Sequence, residues 1–426
     1  MKIKPKKQVH GLFSIPGDKS ISHRAVILGS LAEGITEIEG FLMSADCLAT
    51  IECFRQMGIL IDIQDEIIRI HGKGLHGLLA PKIPLDVGNS GTTIRLLSGL
   101  LSAQPFTSTI TGDASIQKRP MRRVVEPLRK MGAHIDGKED GNFCPLTIKG
   151  SPLHGITYSL PVASAQVKSS LLLASLYADT ASTLIEPAKS RNHTEIMINY
   201  FGGNVVSKGL TIQSQPTHHG LIAKKVLIPG DISSAAYFLV AGTVLPNSKL
   251  HITNVGINPT RSGIITILKE MGANIQVLHP RNLCGERVAD LVVSSSHLQG
   301  TTIQGTIIPR LIDELPILAV AACYAQGTTI IKDATELKVK ESNRIATMTQ
   351  ELNKLGAHIQ ETEDGMIIQG GRPLTGGIVD SYGDHRVAMS LAIAALGSQE
   401  GVDILQSECV DISFPGFYDL LEYLSN

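Results

Sequence analysis

The sequence predicts an α/β protein of two similar lobes, each assembled from three repeats of a strand-helix-strand-helix-strand-strand unit. Three observations carry this. A sharp polar turn leading into a small-residue helix recurs six times. Between these copies, a helix ending at glycine and followed by a strand hairpin recurs as well. The composition, 43% hydrophobic and 18% charged over 426 residues, suits a folded chain with a large core.

The first element appears as IPGDKSISHRAVILGS, LDVGNSGTTIRLLSGLL, LPVASAQVKSSLLLAS, LIPGDISSAAYFLVAG, RLIDELPILAVAA and DSYGDHRVAMSLAIAAL. Its turns centre on Asp18, Asn89, Ser164, Asp231, Asp313 and Asp384, spaced roughly 65 to 80 residues apart. Asp, Asn and Ser are good N-caps, so six capped helices are expected. The second element is FRQMGILIDIQDEIIRIHG, LRKMGAHIDGKEDGNFCPLTIKG, YFGGNVVSKGLTIQ, LKEMGANIQVL and LNKLGAHIQETEDGMIIQG. Glycine ends each helix in a left-handed conformation, and the I-x-I alternation marks half-buried strands. The sixth copy is degenerate. The expected division is residues 18–229 for an N-terminal lobe, and 1–17 with 230–426 for a C-terminal lobe.

Formal net charge is -1, so no global basic field points to nucleic acid. Any anion site must be local. The six cysteines lack metal-ligand spacing and read as free thiols of a reducing compartment. Apolar runs such as LPILAVAACYA are too short to cross a membrane, and MKIKPKKQVHGLF lacks a signal-peptide core. A cytoplasmic protein is expected.

Local cationic sites are plain. The first helix opens with Lys19, Ser20, His23 and Arg24, and Ser20 and Arg24 share a face. A helix N-terminus already favours anions, so added cations there suit a phosphate or carboxylate. The spacing is not that of a Walker A loop. Gly88-Asn89-Ser90-Gly91-Thr92-Thr93 is a turn where backbone N–H groups can approach a ligand, with Arg95 following. In GDASIQKRPMRR, Arg119 stands out beside Pro120, whereas Arg122 and Arg123 suit a solvated face. Ser164, Ala165, Gln166 and Lys168 gather at one helix start, with Arg191 and His193 further on. Asp313 and Glu314 stand at the fifth turn, and Asp384, His385 and Arg386 at the sixth. In LKVKESNR, Lys340 and Arg344 fall at i, i+4, where an anion between them would relieve repulsion within a helix; Glu341 lies beside them. Which carboxyl donates a proton stays open at this level.

GDKSISHR, GNSGTTIR, GDASIQKRPM, SAQVK, SRNHTE, LIDELP, KESNR and GDHR, in this order, resemble the enolpyruvyl transferases, most closely the branch acting on shikimate 3-phosphate. The resemblance implies two inside-out α/β barrels of three repeats, with the active site in the cleft between them. It implies transfer of the enolpyruvyl group of phosphoenolpyruvate to the 5-hydroxyl of shikimate 3-phosphate. No cofactor or metal is implied, and the partners are small-molecule substrates met by a monomer. Carried over by motif, Lys19, Ser20, Arg24, Ser164, Ala165, Gln166, Arg191, Asp313 and Lys340 hold shikimate 3-phosphate. Lys19, Gly91, Arg119, Gln166, Arg344 and Arg386 hold phosphoenolpyruvate. Asp313 accepts the hydroxyl proton and Glu341 protonates the methylene carbon; Lys19 is the third catalytic candidate. Asn89, Thr92 and His385 support the site.

Some positions depart from one class of the family and fit its second class: Ala165 stands for a second Ser, Arg191 for Ser and Tyr, and Ile412 for a Lys. Asn343 replaces the usual Asp, a tolerable change. Gly91 leaves room for glyphosate, the family's phosphoenolpyruvate-site inhibitor. The branch acting on UDP-N-acetylglucosamine carries a reactive Cys where this chain has Ala114, which disfavours it. RNA 3'-phosphate cyclase would want a basic RNA face. A non-catalytic anion binder would leave Asp313 and Glu341 without a task.

Overall fold

The computed structural model describes all 426 residues. The chain divides into two compact units. One holds residues 17–228 with 283–286; the other holds 1–16, 229–282 and 287–426. The short segment 283–286 is the tip of a hairpin whose strands, Asn274–Leu283 and Glu286–Ser294, lie mainly in the second unit. The division expected from sequence does not include that excursion.

In the first unit the three repeats give three sheets of one design. A central strand pairs in parallel with an edge strand on one side and antiparallel with a hairpin on the other. Ala32–Glu39, Thr107–Thr111 and Ser182–Ile185 are the centres. The parallel edges of the second and third sheets are Leu85–Asp86 and Thr157–Ser159. The edge of the first comes from far along the chain, Leu221–Ile222 and Lys225–Leu227.

The helices that open the repeats, Lys19–Leu31, Gly91–Leu101 and Ala165–Ser175, are buried almost all round. Their many small residues make that possible. At Gly99 a Cβ would run into the Ser170 carbonyl oxygen of the neighbouring helix, so glycine sets the approach of these two helices. The strands instead alternate: Phe143–Lys149 turns Cys144, Leu146 and Ile148 inward and the residues between them outward. Helices thus form the interior layer and sheets the outer one.

The second unit repeats the scheme. Lys249–Gly256 lies between His10–Ser14, in parallel, and Glu286–Ser294. Thr328–Ile331 lies between Thr302–Ile303 and Met366–Gln369. In the degenerate sixth copy Val402–Leu405 pairs with Gly377–Asp380, and the hairpin is replaced by the N-terminal strand Lys2–Ile3. No helix is long and apolar enough to cross a membrane.

Local signals explain the element ends. Gly58, Gly132, Gly202, Gly272 and Gly356, which end the second helices, have φ of +84°, +101°, +96°, +101° and +85°. Those values strain any residue with a Cβ. Asp18, Ser164, Asp231 and Asp384 cap their helices through side-chain oxygens. The other two turns differ from expectation. Ser90, not Asn89, caps the second, because the Asn89 amide is engaged by neighbouring side chains. At the fifth, the helix starts at Leu315 after Glu314 with no side-chain cap. Asp313 is drawn instead to two cations, and Pro316 in the first turn has no N–H to satisfy.

Candidate functional site

In the first unit, Lys19 and Ser20 open the Lys19–Leu31 helix and are half-buried. Lys19 Nζ lies 2.5 Å from Asp46 Oδ2. Arg24, one turn on, is a wall residue: Nε donates to Thr194 Oγ1 at 2.6 Å, Nη1 to the Ser20 carbonyl at 2.8 Å and Nη2 to Ser169 Oγ at 2.7 Å. Burial lowers its pKa to about 10, with Glu195 and Asp18 acting the other way. His23 is fully buried, and burial followed by the charges of Lys19 and Arg24 holds its pKa well below the usual histidine range. It shares a hydrogen bond with Thr50, which continues through Thr93 to the Ser90 cap. His23 is therefore a neutral core group.

The turn before Gly91–Leu101 joins two other elements. Arg119 Nη2 donates to Asn89 Oδ1 at 2.8 Å, and Asn89 Nδ2 donates to Asp113 Oδ2 at 2.7 Å. Arg95 Nη1 donates to Gln166 Oε1 at 2.7 Å, and Gln166 Nε2 donates to Thr92 Oγ1 at 3.2 Å. A guanidinium only donates, so Arg95 fixes which way the Gln166 amide faces. A Cβ on Gly91 would lie 2.8 Å from Arg95 Nη1 and 3.0 Å from Arg119 Nη1. The structure thus brings together Asn89, Gly91, Thr92, Arg119 and Gln166, and adds Arg95 as the residue that orients Gln166.

Ser164 caps its helix, and Ala165 and Gln166 follow in the half-buried first turn. Lys168 departs from the expectation that it offers an ammonium to a ligand. It is 1% exposed, with Nζ 3.0 Å from Glu186 and 2.7 Å from Glu195. One turn deeper than Ser164, it points into the unit's interior. Glu186 also accepts the Ser190 N–H and hydroxyl, so the loop leading to Arg191 is shaped from inside. His193 is likewise an anchor, its buried Nδ1 bonded to Glu286 at 2.6 Å.

In the second unit, Asp313 Oδ1 is 3.3 Å from Lys340 Nζ and 3.5 Å from Arg344 Nη1. Lys340 and Arg344 do not share a helix, contrary to the i, i+4 reading. Lys340 is extended after a 3-10 turn, and the helix begins at Arg344 with Asn343 as its cap. The anion that lies between them is Asp313 itself. Asn caps as well as Asp does, which accounts for Asn343.

Arg344 is 1% exposed and meets three carboxylates: Asp384 at 2.8 Å, Glu341 at 2.5 Å and Asp313. Burial disfavours its charge, but Asp384 and Glu341 outweigh that and raise its pKa. Burial pushes the Asp384 pKa up and Arg344 pulls it down further, so Asp384 titrates below the ordinary carboxylate range. Arg386 Nη1 donates to the Asp313 carbonyl at 3.3 Å, and burial of its charge is more than offset by Asp313 and its neighbours. His385 is buried at the start of the His385–Leu396 helix, to which Arg386 also belongs. Ile412 packs against the unit's apolar core.

Sequence reasoning missed Arg261 and any role for Glu314 in the ion pairs. Arg261 is 2% exposed and pairs with Asp231 and Glu314. The available signal was positional: NPTRSG precedes its helix as KESNR precedes the next repeat's.

A model of the family described as EPSP synthase (3-phosphoshikimate 1-carboxyvinyltransferase) matches residues 3–421. The 3-phosphoshikimate 1-carboxyvinyltransferase of Thermoanaerobacter sp. (strain X514) is 55% identical over 424 residues, covering 100% of both chains. The Bacillus cytotoxicus protein of the same name is 54% identical over 422 residues, covering 99% of each. The solved EPSP synthase of Acinetobacter baumannii superposes with a TM-score of 0.90 at 44% identity, covering 100% of this chain and 98% of that one. The enolpyruvyl transferase NikO from Streptomyces tendae shares the fold, with a TM-score of 0.80 at 17% identity over 99% of this chain and 96% of its own. By sequence along almost its whole length and by structure, the chain belongs to the EPSP synthase family.

Proposed function

We propose that the chain transfers the enolpyruvyl group of phosphoenolpyruvate to the 5-hydroxyl of shikimate 3-phosphate, releasing 5-enolpyruvylshikimate 3-phosphate and phosphate. The observation that carries this is the carboxylate arrangement around Arg344. Asp313 is held by Lys340 and Arg344, and Glu341 sits on the same guanidinium. Addition needs a base for the hydroxyl and an acid for the methylene carbon, and these two carboxyl groups take those roles.

Both substrates are anions, and cations must offset their mutual repulsion before oxygen and carbon can meet. In this reading Lys19, Ser20, Arg24, Ser164, Ala165, Gln166, Arg191 and Lys340 receive shikimate 3-phosphate. Lys19, Gly91, Arg119, Gln166, Arg344 and Arg386 receive phosphoenolpyruvate. Arriving anions draw Lys340 and Arg344 toward themselves and free Asp313. Asp313 takes the hydroxyl proton as the oxygen attacks the enol carbon, and Glu341 delivers a proton to the methylene. A proton then returns from the new methyl group to the enzyme, the bond to the phosphate oxygen breaks, and the enol ether and phosphate leave. We also read the enzyme as a cytoplasmic monomer working without a cofactor; its six free cysteines suit a reducing compartment.

The test is phosphate release from phosphoenolpyruvate with shikimate 3-phosphate or UDP-N-acetylglucosamine as acceptor. Release with the first alone, lost in Asp313→Ala, is expected. Release with the sugar nucleotide alone would overturn the choice of acceptor.

A further inference from the structure

Arg261 is among the largest fully buried side chains, and no step of the mechanism uses it. It stands just before the Gly263–Glu270 helix, near the place Arg344 takes one repeat later as the first residue of its helix. Nη2 lies 3.1 Å from Asp231 Oδ1 and donates to Ser233 Oγ at 2.6 Å; Nη1 lies 3.4 Å from Glu314 Oε1. One guanidinium thus faces two carboxylates, more negative charge than it can balance.

The Glu314 side chain is fully buried. Its Oε1 accepts the Ser233 hydroxyl, while its Oε2 has no hydrogen-bond partner. A buried carboxylate with an unsatisfied oxygen costs stability, so balancing Arg261 does not account for it. Its remaining cationic neighbour is Arg386, whose Nη1 is 3.9 Å from Oε1. The same Nη1 donates to the carbonyl of Asp313, the residue immediately before Glu314. Two adjacent residues therefore grip one nitrogen of Arg386.

We propose that Glu314, held in place by Ser233 and Arg261, is a positioning residue that fixes the Arg386 guanidinium for phosphoenolpyruvate. The inference rests on the reading above for the role of Arg386. Asp313 already attracts Arg386 more strongly than Glu314 does, so without Glu314 the pull toward the Asp313 carboxylate is unopposed. Moving there would loosen the grip on the substrate anion and occupy the base.

The sign of the effect separates positioning from simple electrostatics. A negative charge behind Arg386 opposes an anion in front of it, so a pure field effect predicts tighter phosphoenolpyruvate binding when Glu314 is neutralised. Positioning predicts weaker binding. The experiment is steady-state kinetics on full-length Glu314→Gln and Ser233→Ala, varying each substrate in turn, with thermal melts of both variants. Ser233→Ala leaves every charge in place and tests the same link if Glu314→Gln fails to fold.

For Glu314→Gln, KM for phosphoenolpyruvate should rise about tenfold, the scale of one charge-assisted contact, while KM for shikimate 3-phosphate stays within about twofold. Ser233→Ala should show the same selectivity with a smaller rise. An unchanged or lower KM for phosphoenolpyruvate in a folded variant overturns the proposal. So does an equal rise for both substrates with a lower melting temperature, which would mark a general packing role. Absence of phosphate release by the unaltered protein would instead refute the assigned reaction.

Discussion

Asp384 performs two tasks, and Asp384→Asn separates them. Its side chain caps the His385–Leu396 helix by accepting the Arg386 N–H at 2.9 Å, and it pairs with Arg344 at 2.8 and 3.2 Å. Asparagine caps as well as aspartate, so the cap should survive at a cost of about zero. The ion pair does not survive. Both side chains are at most 1% exposed, and breaking a pair so buried costs about 3–5 kcal/mol. Arg344 keeps Glu341 and Asp313, which brings the expected loss to about 2 kcal/mol.

Urea unfolding of both proteins measures this through the midpoint, with the slope unchanged. Acid titration supplies the sign. The Asp384 pKa is depressed below its ordinary 3.8, so its contribution is complete above that pH and is lost as pH falls through the lowered value. The gap between the two proteins should therefore be flat around neutrality and close in strong acid. A loss under about 0.5 kcal/mol at neutral pH, or a gap that widens in acid, would refute the argument.

Two further predictions concern the first unit. Gly91→Ala places a methyl within 2.8 to 3.0 Å of two guanidinium nitrogens, which must move by a few tenths of an ångström. KM for phosphoenolpyruvate should rise about fivefold, equivalent to about 1 kcal/mol, and glyphosate inhibition should weaken. Equal inhibition of both forms would sink the steric reasoning. Lys168→Met leaves Glu186 and Glu195 without their shared cation, and a loss of about 3 kcal/mol is expected by denaturant titration. A variant as stable as the original would mean that these glutamates become protonated or find other partners.

The repeat architecture was legible because its signals are local. Gly58, Gly132, Gly202, Gly272 and Gly356 each sit where a helix must end, and their φ values require no distant partner. The cations proposed for the site are readable for the same reason, since GDKSISHR, GNSGTTIR and KESNR carry them within a few residues.

What escaped the sequence depends on partners far along the chain. Lys168 looks like a ligand until Glu186 and Glu195 are found beside it. Lys340 and Arg344 look like one helix face, but the helix starts at Arg344, and it is Asp313 that meets both. Arg261 is buried by partners 30 and 53 residues away, Asp231 and Glu314, so only its place in the repeat hints at it. Asn89 and Ser90 are both credible caps, and only the claims of Asp113 and Arg119 on the asparagine decide between them.

The pairing of the His10–Ser14 strand has a consequence for biosynthesis. This strand is synthesised before residues 17–228 of the first unit, yet its partner Lys249–Gly256 comes after them. Nearby, the Val9 N–H waits for Ser248 Oγ, 239 residues later. The first unit can close its own sheet once Lys225–Leu227 emerges, while His10–Ser14 remains an unpaired strand. Such an edge invites pairing with other chains. The run MKIKPKK ahead of it places four lysines beside that edge, a charge that opposes such pairing.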